Sequence, residues 1–151
     1  MAKKIKKFIP PESDERQEKF INFIMRDGKK SVARKVFRDA MSEIKKRGNK
    51  DPFSVFNKGL ENVMPSMEVR PKRVGGGVYQ IPVEVSTKRR ETLAMRWVMQ
   101  AIRSRKGKPF AIKLAEELID ASDETGVSFK KKEDTHKMAE SNKAFAHLAR
   151  F

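Results

Sequence analysis

The chain has 151 residues, and its 35 Lys and Arg outweigh 20 Asp and Glu to give a net charge of +15 at neutral pH. It contains no cysteine, which excludes disulfides and thiolate metal sites. It also has no apolar run of bilayer length and no signal peptide, so a soluble protein that stays in the compartment of its synthesis is expected. The length suits one domain, large enough to bury about 68–70% of the surface of the unfolded chain. The charge is unevenly spread: residues 1–50 carry a net +9, residues 51–110 a net +7 and residues 111–151 a net −1. Such asymmetry points to a polyanionic partner. A membrane surface is disfavoured, because no lipid-inserting helix face is evident.

Residues 1–15 (MAKKIKKFIPPESDE) have no periodicity and contain Pro10-Pro11, so a flexible basic tail is expected. A first helix is predicted over 16–27 with Phe20, Phe23 and Ile24 on its apolar side and Asp27-Gly28 as its stop. A second covers 31–47. Val32, Val36, Phe37, Ala40, Met41 and Ile44 fall within one half of its wheel, while Arg34, Lys35, Arg38, Lys45 and Lys46 fill much of the other. Gly48 ends it. The third starts at Pro52 behind an Asp51 N-cap, buries Phe53, Phe56, Leu60 and Val63, and stops before Pro65.

Residues 67–85 then switch to alternating strand character around Gly75, Gly76 and Gly77, which marks a β-hairpin. Pro71 and Pro82 bar both strands from the interior of a large sheet, because proline lacks the ladder N–H. An isolated two-stranded ribbon is marginal in water. A projecting arm that needs a partner is the natural reading, and the basic residues at its ends make that partner a phosphate polymer.

A fourth helix over 88–105 is apolar almost all round: Leu93, Ala94, Met95, Trp97, Val98, Met99, Ala101 and Ile102. Such a helix belongs at the centre of a bundle. Its exception is a stripe of Arg89, Arg96 and Arg103, spaced by seven. A turn at Lys106–Pro109 leads to a fifth helix (109–122) presenting Phe110, Leu114, Leu118 and Ala121, and a sixth (129–149) presenting Met138, Phe145 and Leu148. The fold class expected is mainly α: a six-helix, bundle-like domain spanning 16–151 with one protruding two-stranded antiparallel β-hairpin arm.

Catalytic and cofactor chemistry find little footing. The glycine run leads into a strand rather than a helix, and Gly28-Lys29 lacks the first glycine of a nucleotide-binding loop, so turns explain both. His136 and His147 lie eleven residues apart, about 16 Å along a helix axis, which is too far for one metal ion. A non-enzymatic protein with neither cofactor nor metal is expected. Tyr79 is the only aromatic residue in the ribbon, so backbone charge and shape, more than base stacking, should dominate recognition.

Four blocks in order carry a specific likeness: DGKKSVARKVFRDA at 27–40, LENVMPSMEVRPKRVGGGVYQIPVEV at 60–85, RRETLAMRWV at 89–98 and KKEDTHKMAESNKAFAHLARF at 131–151. The chain resembles the bacterial-type small-subunit ribosomal protein seven family across nearly its whole length. The resemblance implies a structural constituent of the ribosome, located in the small subunit in the cytoplasm, with an organellar ribosome as the alternative. It implies a primary binder of the three-prime major domain of small-subunit ribosomal RNA that nucleates assembly of the head. It also implies contact with exit-site transfer RNA and the messenger path, beside ribosomal proteins nine and eleven. Carried onto this chain, the RNA-binding set is Lys3, Lys4, Lys6 and Lys7 in the tail, and Lys29, Lys30 and Arg34 around the Gly-Lys-Lys junction. Arg70, Lys72, Arg73, Gly75, Gly76 and Gly77 follow in the arm, with Lys88, Arg89, Arg90, Arg96 and Arg103 beneath it. Many members have tails longer or richer in arginine than MAKKIKKF, which implies fewer tail contacts here. The alternative from another class is a DNA-binding architectural protein that lays the basic ribbon in a groove.

Overall fold

The computed structural model describes residues 7–150. It contains six α-helices: α1 (Glu15–Ile24), α2 (Lys30–Lys46), α3 (Pro52–Val63), α4 (Thr87–Ser104), α5 (Phe110–Ser122) and α6 (Val127–Ser141). Strands β1 (Met67–Val74) and β2 (Gly77–Glu84) form an antiparallel pair, and a 3₁₀ segment covers Lys143–Arg150. A mainly α fold with one hairpin is therefore what the chain adopts. Lys3, Lys4 and Lys6 lie outside the described residues.

Local chemistry sets the helix ends. The Asp14 carboxylate accepts the Gln17 amide proton at 2.8 Å, and that of Asp51 accepts from Ser54 at 3.2 Å with Pro52 next in line, so both helices have a satisfied start. α1 ends three residues earlier than its pattern predicts. Met25 leaves the helical region (ψ 135°), and Asp27 and Gly28 both adopt left-handed backbone, φ 54° and 72°. Aspartate tolerates that region and glycine occupies it without penalty.

The core is built by α1 to α5. Phe20, Phe37 and Phe56 come one each from α1, α2 and α3 and meet edge to face, with centroids 5.2 Å apart for Phe20–Phe56 and 5.3 Å for Phe37–Phe56. Such geometry aligns ring edges with ring faces and adds to area burial. α4 runs through the middle as its composition requires, with all eight of its apolar side chains from Leu93 to Ile102 buried. At Gly59 an added Cβ would stand 3.0 Å from the Leu118 carbonyl oxygen, so α3 and α5 pack at backbone distance. Asn62 Nδ2 donates to the Ala121 and Ser122 carbonyls at 3.0 and 3.2 Å, satisfying the end of α5.

Three residues assigned to the core by periodicity are exposed: Val32, Phe53 and Met138. In α2 the buried stripe is Ala33, Phe37, Ala40, Met41 and Ile44, which turns Val32 outward. Phe53 lies in the first turn of α3, at the rim of a groove. On α6 only Ser128 and Ala139 are buried, so Met138 has nothing to pack against.

The sixth helix is also shorter than its sequence predicts. Ser141 Oγ donates to the Lys137 carbonyl at 2.9 Å and Asn142 Nδ2 to the Met138 carbonyl at 2.8 Å. Side-chain bonding of this kind competes with the helical ladder, and the chain continues as a 3₁₀ turn instead.

That change of course has a consequence for the arm. Ring centroids of Phe145 in the 3₁₀ segment and Tyr79 in β2 lie 5.3 Å apart. Lys72 Nζ in β1 donates to the Leu148 and Ala149 carbonyls at 3.2 and 3.3 Å. The ribbon is thus not the unsupported element its prolines imply: the C-terminal segment is its intramolecular partner. Its base is fixed as well, with Glu68, Ile81 and Val85 buried. The turn uses Gly75 (φ 63°) and Gly76, while Gly77 pairs with Val74 inside the ladder. Positive φ at the first central residue alone is the type II′ pattern that matches strand twist.

Candidate nucleic-acid interface

The basic residues fall into two populations, those facing carboxylates and those without. Glu68, buried at the base of β1, accepts two bonds from Arg89 (Nε to Oε1 at 2.8 Å, Nη2 to Oε2 at 3.1 Å) and one from Arg70 Nε at 2.9 Å. Burial pushes the Glu68 carboxyl up, but Arg89 and Arg70 outweigh this and hold it below the usual carboxylate range. Arg90 Nε donates to the Val85 carbonyl at 2.9 Å and its Nη2 lies 3.7 Å from Glu84. Arm and α4 are therefore joined through two of the arginines predicted to bind RNA, Arg89 and Arg90, while Arg70 pairs within the arm itself.

A second carboxylate consumes two more. Glu18 of α1 accepts a bidentate pair from Arg34, whose Nη2–Oε2 distance is 3.1 Å, and Lys30 Nζ stands 3.4 Å away. Arg34 hydrogen bonding holds the Glu18 carboxyl below its ordinary range against an opposing effect of burial. The third such group lies on α5. Glu117 is fully buried and receives Arg105 Nη2 at 2.7 Å, Ser128 N–H at 3.0 Å and Ser128 Oγ at 2.6 Å. On the same edge Glu116 takes Arg47, Lys108 and Arg105 Nη1, and Asp120 takes Arg105 Nη2. These acids of α5 pair with Arg47 at the end of α2 and with Arg105 and Lys108 ahead of α5.

The remaining predicted residues keep their charge. Lys29, Arg73, Lys88, Arg96 and Arg103 are exposed and make no ion pair among the described residues, and Lys7 is likewise exposed. Arg73 stands near the arm tip with Gly75 and Gly76; Gly77 is spoken for by Tyr79, whose ring atoms lie 3.3 Å from where a Cβ would project. Along the arginine stripe, Arg89 is committed to Glu68, whereas Arg96 and Arg103 face outward. The stripe is continuous in sequence and divided in its contacts.

Two clefts gather further cations. In the first, of about 390 Å³, Lys29 and Arg103 are joined by Arg26 and Lys113 over apolar side chains that include Val32, Val36 and Phe110. The left-handed Asp27-Gly28 turn is what brings Arg26 and Lys29 to the same rim. Neither Arg26 nor Lys113 belongs to the predicted set. The turn signal at Asp27-Gly28 marks Arg26 in retrospect, and Lys113 follows Phe110 by three residues, one helical step along the same face. In the second cleft, of about 680 Å³, Arg38, Lys45 and Lys50 stand beside Phe37, Met41 and the exposed Phe53.

His136 is a packing residue. Its Nε2 accepts the Ser66 amide proton at 3.0 Å, tying α6 to the entry of the arm. Burial and the neighbouring Lys132 push its pKa below 6.5. Among the described residues no cluster of acids and histidines could hold a metal ion, and no helix is long and apolar enough to cross a membrane.

Comparison with known proteins gives this surface a context. The profile of the family described as Ribosomal protein S7p/S5e matches residues 2–143. The small ribosomal subunit protein uS7 of Thermotoga maritima is 51% identical over 145 residues, which span 94% of each chain. That of Moorella thermoacetica is 56% identical over 129 residues, covering 85% of this chain and 83% of its own. That of Rhodopirellula baltica is 51% identical over 133 residues, covering 87% and 85%.

Proposed function

Because the chain belongs to the ribosomal protein S7p/S5e family, we propose that it is a structural constituent of the small ribosomal subunit that binds ribosomal RNA directly. The family is not one of enzymes, and the relatives carry the name of a small-subunit protein. The RNA ligand is the three-prime major domain, whose folding the protein nucleates as the head assembles. The observation that carries this reading is the set of cations left without carboxylates: Lys29, Lys88, Arg96 and Arg103 on the helical body and Arg73 on the arm.

The mechanism is electrostatic. Phosphates brought together at an RNA junction repel one another, and a rigid basic body placed among them offsets that repulsion while releasing condensed counterions. Arginine suits the task because its planar fork bonds a phosphate through two parallel donors. Rigidity comes from the core, whose packing holds α4 while Arg96 and Arg103 project from it. Glu68, meanwhile, locks the arm at a set angle through Arg89. The arm, with Arg73 and the Gly75-Gly76 turn at its end, is the element that reaches exit-site transfer RNA and the messenger path. Ribosomal proteins nine and eleven are its neighbours in this proposal.

Filter binding across a salt series tests the reading, using the three-prime major-domain RNA and a scrambled RNA of equal length. Preference for the former at physiological salt is expected. Equal affinity for the two, or ready displacement by duplex DNA, would sink it; the second result would favour the architectural DNA-binding alternative, which the relatives do not support.

A further inference from the structure

We infer that the cleft between the α1–α2 turn, α4 and the start of α5 receives one unpaired nucleotide, its base inside and its flanking phosphates on the rim. The inference rests on the ribosomal-RNA reading above and gives it a specific subsite. The cleft measures about 390 Å³, within the range of about 300–1,000 Å³ typical of small-molecule sites. Its floor is apolar, with Val32 and Val36 on one side and Phe110 on the other. Val32 is 55% exposed, the most open branched aliphatic side chain of α2 and one that none of the described elements covers. An apolar floor is of no use to phosphate alone, which prefers hydrogen-bond donors and water.

The rim is the second part of the argument. Arg26, Lys29, Arg103 and Lys113 surround the floor, and no acidic side chain lines the cleft. Elsewhere on this chain arginines are repeatedly met by carboxylates, as at Glu18, Glu68 and Glu117. Among the described residues, Lys113 is the one rim cation with side-chain contacts: it donates to the Arg105 carbonyl at 3.0 Å and sits 6.0 Å from the Phe110 ring centroid. An extruded nucleotide carries a phosphate on each side of its sugar, so it calls for cations at more than one point around a flat apolar surface. Four cations exceed the need of a single carboxylate or sulfate. A duplex, whose bases are stacked and paired, would leave the floor empty. Single-stranded or bulged nucleotides are the form in which RNA offers an unstacked base, and aromatic or guanidinium surfaces accept it with little regard to its identity.

The experiment has two arms on the full chain. In the first, resonances of labelled valine methyls and phenylalanine rings are followed while uridine 5′-monophosphate, ribose 5-phosphate or inorganic phosphate is added. The nucleotide should shift Val32, Val36 and Phe110 in a saturable manner, whereas ribose 5-phosphate and phosphate should leave those signals near their starting positions. Equal shifts with phosphate alone would reduce the cleft to an anion site and overturn the inference.

In the second arm, Val32→Asn, chosen because that side chain is exposed and the change adds no charge, is compared with Arg103→Ala on the three-prime major-domain RNA. Val32→Asn should weaken binding roughly tenfold with the salt slope unchanged, while Arg103→Ala should lower the slope by about 1. Unaltered affinity for Val32→Asn, with specific binding intact in the parent, would reject the subsite and leave the ribosomal-RNA reading standing. Loss of specificity in the parent itself would reject that reading first.

Discussion

The arm base and the cleft at the α1–α2 turn are both rich in arginine and lysine, yet they differ in what those charges do. At the arm base Glu68 gathers Arg70 and Arg89, and Arg90 is turned onto the Val85 carbonyl. At the cleft, Arg26, Lys29 and Arg103 face one another across an apolar floor with no acid among them. Like charges held close together raise the energy of the free protein, and an arriving polyanion relieves that cost. The first region commits its cations to architecture; the second leaves them without a carboxylate. Basic residues that look equivalent in sequence therefore divide into hinges and handles.

The sharpest way to test this division is to remove the carboxylates. Glu117→Ala strips a fully buried acceptor from Arg105 and Ser128, and a loss of about 3–5 kcal/mol in denaturant-derived stability is expected. A change under about 1 kcal/mol would show that Asp120 and Glu116 hold Arg105 by themselves. Glu68→Ala should cost less, about 2 kcal/mol, because Arg70 and Arg89 are partly exposed and can rehydrate. Its more telling readout is hydrogen exchange: amides of β1 and β2 should lose protection ahead of those in α4.

Acidification probes the same contacts in two stages. His136 is harder to protonate in the folded chain than in the unfolded one. As pH falls below about 6.5, the unfolded state takes up that proton first, so stability declines until the lowered folded value is passed. Glu18, Glu68 and Glu116 behave in the complementary way. Their folded pKa values lie below 4.5, so their contribution is complete above 4.5 and disappears as pH falls through those values. Thermal melts against pH should show a shallow decline and then a steep one. His136→Gln should remove the shallow stage and leave the steep one.

Smaller effects are expected where the arm meets the 3₁₀ segment. Tyr79→Ala removes the contact with Phe145, for a loss of about 1 kcal/mol. If arm protection in hydrogen exchange is unmoved, the Lys72 bonds to the terminal carbonyls suffice. At the bottom of the scale, Arg96→Ala should alter stability by no more than about 0.5 kcal/mol and lower the salt slope of RNA binding by about 1. Arg89→Ala should do the opposite, weakening the fold with little effect on the slope. Reversal of these two outcomes would erase the distinction between hinges and handles.

Much of the scaffold was legible from pattern. Burial of one face produced the periodicity of α2 and α3, the encircling apolar surface of α4 revealed its central place, and strand alternation around Gly75–Gly77 announced the hairpin. Errors came where a side chain competed with the backbone or where a stripe was shifted in phase. Ser141 and Asn142 ended α6 through bonds that periodicity does not register, and Val32 sits one step from the buried stripe of α2. The site was less legible. Arg34, Arg70 and Arg89 share the composition of Arg96 and Arg103 but not their surroundings, and Arg26 and Lys113 reach one cleft only through the Asp27-Gly28 turn and the packing of α5 beside it.

What the chain alone determined was its helical and strand content, the arm, the basic balance of its first two-thirds and its family. Those follow from local geometry and summed charge, which linear order carries. Tertiary structure alone decided which cations stay available, and it fastened the arm to the C-terminal segment. Both depend on separations of a few ångströms between residues as distant in the chain as Glu68 and Arg89 or Lys72 and Leu148. Ion pairs and hydrogen bonds act only at such range, so only the folded molecule can say where they form.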